Sequence, residues 1–352
     1  MLPNKKKNYQ TYCLTFQINK MKKISFLLFW TVLMTSPLFA KTLRLNNSPG
    51  SNAPYSTFAA AQAAALNGDT IIVEPSATSY GIVQITIQLT IVGNGYLHTN
   101  AIQLQENSNN SAFEQIYCFV PCTFYGLVSE FLIVYSSNVT VSRCFMFDVT
   151  SYNSYSNTII SQNYLRSINI VGQNLQITNN IIKNSIYINP NSTAVVENNV
   201  IGFDVSDNLL NLYGMDFNDA FVIFRNNILI RNLQVTGASN VTFDNNLASG
   251  APFPVLTSNF NNVDMTTVFI APPYSDNYYF NNYGEYSLSP LPGGPADNTG
   301  YYGDDIGIFN DGVGRPTYHL KGIPPFPTIY YLSTGVVSGN TLPVTILTRA
   351  NN

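Results

Sequence analysis

Charge is scarce in this chain. Only 10% of its 352 residues are Asp, Glu, Lys or Arg, and 16 basic residues nearly balance 19 acidic ones, leaving a net charge of −3. Such a balance carries no electrostatic footprint for nucleic acid or an anionic membrane surface, and both are set aside as partners. Histidine is scarcer still. His98 and His319 are the only two, so the central part of the chain cannot assemble a His-based mechanism. After the first 40 residues no apolar run approaches the roughly 20 residues that a spanning helix needs, so no membrane span is expected there. What remains is neutral polarity, with Asn, Ser, Thr and Tyr carrying solubility in a chain that is 45% hydrophobic. That profile suits a β-rich extracellular protein.

One apolar run does occur early. Ile24 to Leu33 follows Lys22 and Lys23 and leads through Pro37 to Ala40. The order reads as a secretory signal peptide over residues 21–40, with cleavage expected after Ala40 and residues 1–20 taken as an over-extended start. The mature protein is then expected outside the cell or in the cell envelope. Cleavage removes Cys13 and the single tryptophan, Trp30, and leaves Cys118, Cys122 and Cys144. An odd number permits one internal disulfide at most; buried apolar thiols are expected, with a Cys118–Cys122 bridge as the alternative.

The internal repeat decides the fold. VSRCFM, ISQNYL, ITNNII, VENNVI, FRNNIL and FDNNLA align without gaps, and their fourth residues are Cys144, Asn163, Asn180, Asn199, Asn227 and Asn246. A fainter copy centres on Asn282. The spacings of 19, 17, 19, 28 and 19 residues put one coil near 20. In most phrases an inward β-branched or aromatic residue (Ile160, Ile177, Val196, Phe224, Phe243) precedes a polar one, then the Asn pair, then two apolar residues, which is strand, tight turn, strand. A further strand is expected around Ile168, Ile186 and Leu233, giving three strands per coil and three parallel sheets. Asn163, Asn180, Asn199, Asn227 and Asn246 form the expected structural ladder. Asn tolerates the left-handed conformation of a sharp corner, and its amide can donate and accept between coils.

The opening stretch, YSTFAAAQAAALNGDTIIVEPSATSYGIVQITIQLTIVGNGY, resembles that of pectate-lyase-like right-handed parallel β-helix proteins. A short helix from Phe58 to Leu66 precedes a Gly68-Asp69 turn, a strand at Ile71 to Val73 and the ITI…LTIVGNGY phrase. SLSPLPGGPADNTGYYGDDIG, from Ser287 to Gly307, is similar to the last coil of that family. The resemblance implies an all-β, right-handed, single-stranded parallel β-helix with an N-terminal capping helix. Residues 1–40 then precede a β-helix over 41–310 and a Pro-rich tail over 311–352, which ends in the strand-like LPVTILT. The tail is expected to run back along the body or cover its C-terminal end, with Phe326, Ile329 and Tyr331 as its apolar face.

Columns of stacked side chains are where chemistry on such a fold belongs, since coils repeat about every 4.8 Å. The position before each Asn pair runs Ser142, Ser161, Thr178, Glu197, Arg225, Asp244. Glu197, Arg225 and Asp244 can therefore be read as a catalytic or sugar-binding trio, with Arg225 on an acidic sugar or the two carboxylates sharing acid and base work. The plainer alternative is an ion-pair ladder that orders the stack. The 28-residue spacing marks an insertion with Asp204, Asp207, Asp216 and Asp219, enough oxygens for Ca²⁺, though the D-x-x-D spacings are no recognised calcium loop. A solvated acidic loop is preferred, and no cofactor is expected. The resemblance itself implies clustered Asp ligands beside a basic residue for lyase chemistry, and the sequence shows no such cluster. Tyr152 and Tyr155, Tyr278 and Tyr279, Tyr283 and Tyr286, and Tyr301 and Tyr302 can serve as stacking platforms or as packing over the sheets. The expected protein is a monomer that contacts polysaccharide. A polysaccharide lyase or hydrolase and a surface adhesin or spacer are the rivals, and whether the chain is an enzyme stays open.

Overall fold

The computed structural model describes residues 40–96, 109–202, 214–254, 258–271, 288–310, 317–337 and 339–349. In chain order they form β1 (Thr42–Leu45), helix α1 (Phe58–Ala64), β2 (Asp69–Val73), β3 (Ile82–Ile85), β4 (Leu89–Val92), β5 (Ala112–Cys118), β6 (Thr123–Tyr125), β7 (Val128–Val134) and β8 (Thr140–Ser142). The middle coils carry β9 (Phe145–Ser151), β10 (Ile159–Ser161), β11 (Tyr164–Ile170), β12 (Leu175–Thr178), β13 (Ile181–Ile188), β14 (Thr193–Glu197) and β15 (Val200–Ile201). Then come β16 (Met215–Asp216), β17 (Phe221–Arg225), β18 (Ile228–Leu229), β19 (Val235–Thr236), β20 (Val241–Asp244), β21 (Leu247–Ala248), β22 (Thr328–Thr334) and β23 (Val344–Arg349).

The chain visits two parallel sheets in turn. One has ten strands, in the order β1-β2-β4-β6-β8-β10-β12-β14-β17-β20; the other has eleven, running from β21 through β13 to β3, with β16 and β19 at its side. This is a parallel β-solenoid. Its core follows from alternation in register: Leu43, Ile71, Ile91, Phe124, Val141, Ile160, Ile177, Val196, Phe224 and Phe243 stand one above another on successive strands of the first sheet, all buried. Each coil covers the apolar face of the next, so burial accrues by stacking.

Three expected strands per coil become two hydrogen-bonded sheets for a specific reason. In β5, β7 and β9 two consecutive residues face out, Glu114-Gln115, Glu130-Phe131 and Phe147-Asp148, instead of alternating. The pairing skips the first of each couple. The second and third strands thus run on through a corner. From β13 onward they separate: Ile181 and Ile182 pair with β15, whereas Tyr187 pairs with Asp216 of β16. Leu233, expected in a strand, lies buried between β18 and β19.

The two members of each Asn pair do different work. The first holds the left-handed turn, with φ of 56° at Arg143, 58° at Gln162, 54° at Asn179, 58° at Asn198, 54° at Asn226 and 50° at Asn245. The second points inward and is fully buried. Asn180 shows the pattern: its Nδ2 donates to Asn199 Oδ1 at 3.0 Å and to the Ile160 carbonyl at 2.8 Å, while its backbone N–H reaches the same Asn199 oxygen at 2.9 Å. The ladder starts at the Cys144 N–H, which donates to Asn163, and continues past Asn246 to Asn259. Every step leaves the buried amide satisfied on both its nitrogen and its oxygen.

The apolar pair after the Asn pair is explained by a second layer. Leu165, Ile182, Ile201, Leu229 and Ala248 enter the main core, while Tyr164, Ile181, Val200, Ile228 and Leu247 face outward. Leu288, Ala296, Ile306, Ile308 and Tyr318 bury that outward row. Residues 288–310, resembling a last coil in sequence, contain no strand and form a strap over the outside of the stack. Gly307, at φ 103°, lies against Ile228, where a Cβ would come within 2.8 Å of Cδ1. Residues 317–326 carry the strap back toward the early coils. The Tyr318 N–H donates to the Ile308 carbonyl at 2.9 Å, the Tyr96 N–H to the Lys321 carbonyl at 2.7 Å, and Phe326 meets the Tyr125 ring. The side chains of Ile329 and Tyr331 lie outside the described set.

At the other end, α1 buries Phe58 and Ala61 against the core. The Asp69 carboxylate accepts from the backbone N–H of Lys41 at 2.8 Å and of Leu66 at 2.7 Å, tying the first coil to the residues after the helix. Beyond the strap, β22 and β23 form an antiparallel hairpin on which Val344, Ile346 and Leu347 are exposed.

Candidate functional site

Glu197, Arg225 and Asp244 stand in register on β14, β17 and β20, one per coil. Arg225 is taken up by its surroundings. Its Nη2 donates to Glu197 Oε2 at 3.0 Å, and its Nε lies 2.9 Å from Oε1 without aiming its N–H there. Tyr301 and Tyr302 of the strap stack on the guanidinium, with ring centroids 5.0 and 5.2 Å from its carbon. Burial works against the charge, yet Glu197 outweighs it and holds the arginine's pKa above its usual value. Asp244 makes no ion pair among the described residues. The arrangement clamps the strap to the stack through a charge-assisted pair and two aromatic faces.

The acidic insertion is described only in part. Asp204 and Asp207 lie outside the described residues. Asp216 Oδ1 accepts from the Asn218 N–H at 3.1 Å, and Asp219 Oδ1 accepts from the Ser239 hydroxyl at 2.6 Å. Asp216 caps its own turn, and Asp219 ties its turn to the next coil. Among the described residues no three His, Cys, Asp or Glu side chains converge as metal ligands. Asp304 is buried and accepts from Asn310 Nδ2 at 2.8 Å, which orders the strap from within.

An open groove lies elsewhere, on the outer face of the first sheet. It measures about 690 Å³ and crosses β12, β14, β17 and β20. Phe221 and Ile223 form its apolar part, exposed by 63% and 42%. Asn174, Thr193, Asn240 and Thr242 supply amides and hydroxyls around them. At the same corner of the solenoid a second Asn column appears: Asn157 Nδ2 donates to Asn138 Oδ1 at 2.8 Å and Asn174 Nδ2 to Asn157 Oδ1 at 3.2 Å, with φ near 60° at all three.

The chain matches no protein-family model, no curated protein and no solved structure. What the groove can hold follows from its own chemistry. Earlier coils add an aromatic column to that corner, where Phe119 and Tyr135 stack at 5.0 Å with planes 7° apart and Tyr135 meets Tyr152 at 6.4 Å. Tyr152 is 67% exposed. Tyr155 instead packs against the core, and Tyr278, Tyr279, Tyr283 and Tyr286 lie outside the described residues.

Phe221, Ile223, Phe119 and Tyr135 belong to no motif or repeat column in the sequence. One signal for the first two was present. FVIFR is apolar on both alternating faces, and only Val222 and Phe224 find places in the core. A strand with a surplus apolar face needs a cover or a ligand.

Proposed function

We propose that this protein is exported and contacts polysaccharide at the groove on its first sheet. The observation that carries the reading is Phe221, a large aromatic side chain exposed on a concave surface and ringed by amides and hydroxyls. Sugars present apolar ring faces and hydroxyl edges, and that mixture of platform and neutral donors and acceptors is what recognises them. The resemblance to pectate-lyase-like proteins and the signal-peptide pattern over residues 21–40 support the same reading. Lyase or hydrolase chemistry at Glu197, Arg225 and Asp244 has less support, because the guanidinium is engaged by Glu197 and covered by Tyr301 and Tyr302.

The test is retention on a panel of acidic and neutral glycans, with and without Ca²⁺, together with an assay for new unsaturated or reducing ends. Retention without new ends is the expected result, and release of product identifies an enzyme. N-terminal sequencing of exported protein is expected to begin at Lys41. An adhesive role has one observation in its favour, the apolar side chains exposed on the C-terminal hairpin. Cell-surface binding that disappears on removing residues 328–349, in a protein retained by no glycan, would favour it.

A further inference from the structure

Among the described residues the lining of the groove contains no charged side chain. Arg225 is the only cation on the five strands β10, β12, β14, β17 and β20, and it is held by Glu197 beneath Tyr301 and Tyr302. A uronate laid in this groove would lose water from its carboxylate against amides and a phenyl ring, with no cation to compensate. The electrostatics therefore suit an uncharged ligand.

Its direction follows from the stack. The groove crosses four neighbouring strands, about 14 Å between the outer two at the usual strand spacing. It starts at Asn157 and Asn174, and Asn157 shares its corner with Tyr152, where the aromatic column of the preceding coils ends. Column and groove follow one another along the solenoid axis, with Phe119, Tyr152 and Phe221 exposed and Tyr135 half-buried. An extended glycan advances by about one coil spacing per sugar ring.

We infer that the ligand is a neutral polysaccharide lying parallel to the solenoid axis, one sugar per coil, seated on Phe221 and continuing over Tyr152, Tyr135 and Phe119. The inference rests on the polysaccharide reading above and adds its class and placement.

Calorimetric titration of the full chain with neutral glucan, mannan and galactan oligosaccharides of increasing length, and with polygalacturonate and alginate oligosaccharides, tests it. Affinity for one neutral series is expected to rise with length up to about seven units and to be insensitive to salt. Phe221→Ala is expected to weaken every length by about tenfold or more. The paired Tyr135→Ala and Tyr152→Ala changes should weaken only oligomers longer than about four units, the span of the groove. Phe221 and Tyr152 are exposed and Tyr135 is half-buried, and an unchanged circular dichroism spectrum confirms the fold. Tighter binding of the acidic series, falling steeply with salt, overturns the neutral class and leaves polysaccharide contact standing. Affinity independent of length, or unaffected by Phe221→Ala, overturns the placement. Failure of the unaltered chain to retain any glycan removes the functional reading itself.

Discussion

Asn226 and Asn227 are neighbours in sequence that face opposite sides of one turn: Asn227 Nδ2 donates inward to Asn246 Oδ1 at 3.1 Å, and Asn226 Oδ1 accepts outward from the Tyr301 N–H at 2.7 Å. The outward member repeats this service along the stack. The Ile323 carbonyl accepts from Arg143, Ile308 from Asn179 and Thr299 from Asn245, while Asn310 donates to Asn198. The inner file holds coil to coil; the outer file holds the strap to the coils.

That division predicts two different mutants. Asn199→Ala empties a buried site that satisfies the Asn180 N–H and side chain and the Ile177 carbonyl, and each stranded polar group costs about 1–3 kcal/mol. A loss of at least about 3 kcal/mol in denaturant unfolding is expected, with hydrogen exchange rising in both neighbouring coils. Asn226→Ala should cost about 1–2 kcal/mol, from the left-handed turn and one hydrogen bond, and raise exchange mainly in the strap. Equal effects on strap and coils from both variants would contradict the division of labour.

The Arg225 clamp predicts a separable change. Arg225→Met leaves the Glu197 carboxylate nearly buried without its cation and removes the face on which Tyr301 and Tyr302 stack. Loss of one partner from such a pair costs on the order of 3 kcal/mol. Cleavage by a nonspecific protease is expected to begin within residues 288–310, while the coils persist and the Phe221 groove keeps its ligand. If glycan binding or bond cleavage vanished while the strap stayed resistant, Arg225 would belong to the binding site.

The coil core and the inner ladder were legible because each needs one residue type at one offset. Phe224 or Asn199 meets the same neighbour one coil away, and a repeat near 20 residues records that contact directly. The outer file was not legible. Asn226 meets Tyr301 and Asn179 meets Ile308, partners far along the chain with no period linking them. For the same reason the apolar residues after each Asn pair read as one strand signal, although Ile181 and Ile182 are buried by different layers. The groove was hidden by a related ambiguity: Phe221 and Ile223 look like core residues until the face they occupy is seen to have no cover.

The strap should loosen in mild acid. His319 is half-buried, and its pKa is held below the ordinary 6.5, first by burial and then by the Arg143 cation. The released strap binds a proton near 6.5 and the docked strap only at lower pH, so docking stability is complete above 6.5 and declines as pH falls toward the docked value. Protease susceptibility of residues 317–326 is expected to rise between pH 7.5 and pH 5 on the order of the shift that one titrating group permits. His319→Phe should flatten the profile. A profile unchanged by that substitution would assign the acid sensitivity to another group.

The thiols give the last expectation. Cys118, Cys122 and Cys144 are all free and buried, and burial pushes the Cys144 thiol up to about 12. Cys118 and Cys122 are neighbours whose thiols donate to backbone carbonyls, Cys118 to Val120 at 3.1 Å and Cys122 to Ile87 at 3.8 Å, and the interaction between the two sulfurs raises the Cys118 pKa and lowers that of Cys122. Thiolate is the reactive form, so Cys122 should alkylate first as the corner before β6 opens, Cys118 next and Cys144 only on global unfolding. Mass spectrometry after timed iodoacetamide treatment, with and without denaturant, reads that order. Their contact also means that a mild oxidant should remove two hydrogens and join Cys118 to Cys122, blocking both sites together and leaving Cys144 free. Early labelling of Cys144 in folded protein would show that the core of the central coils opens more readily than its packing implies.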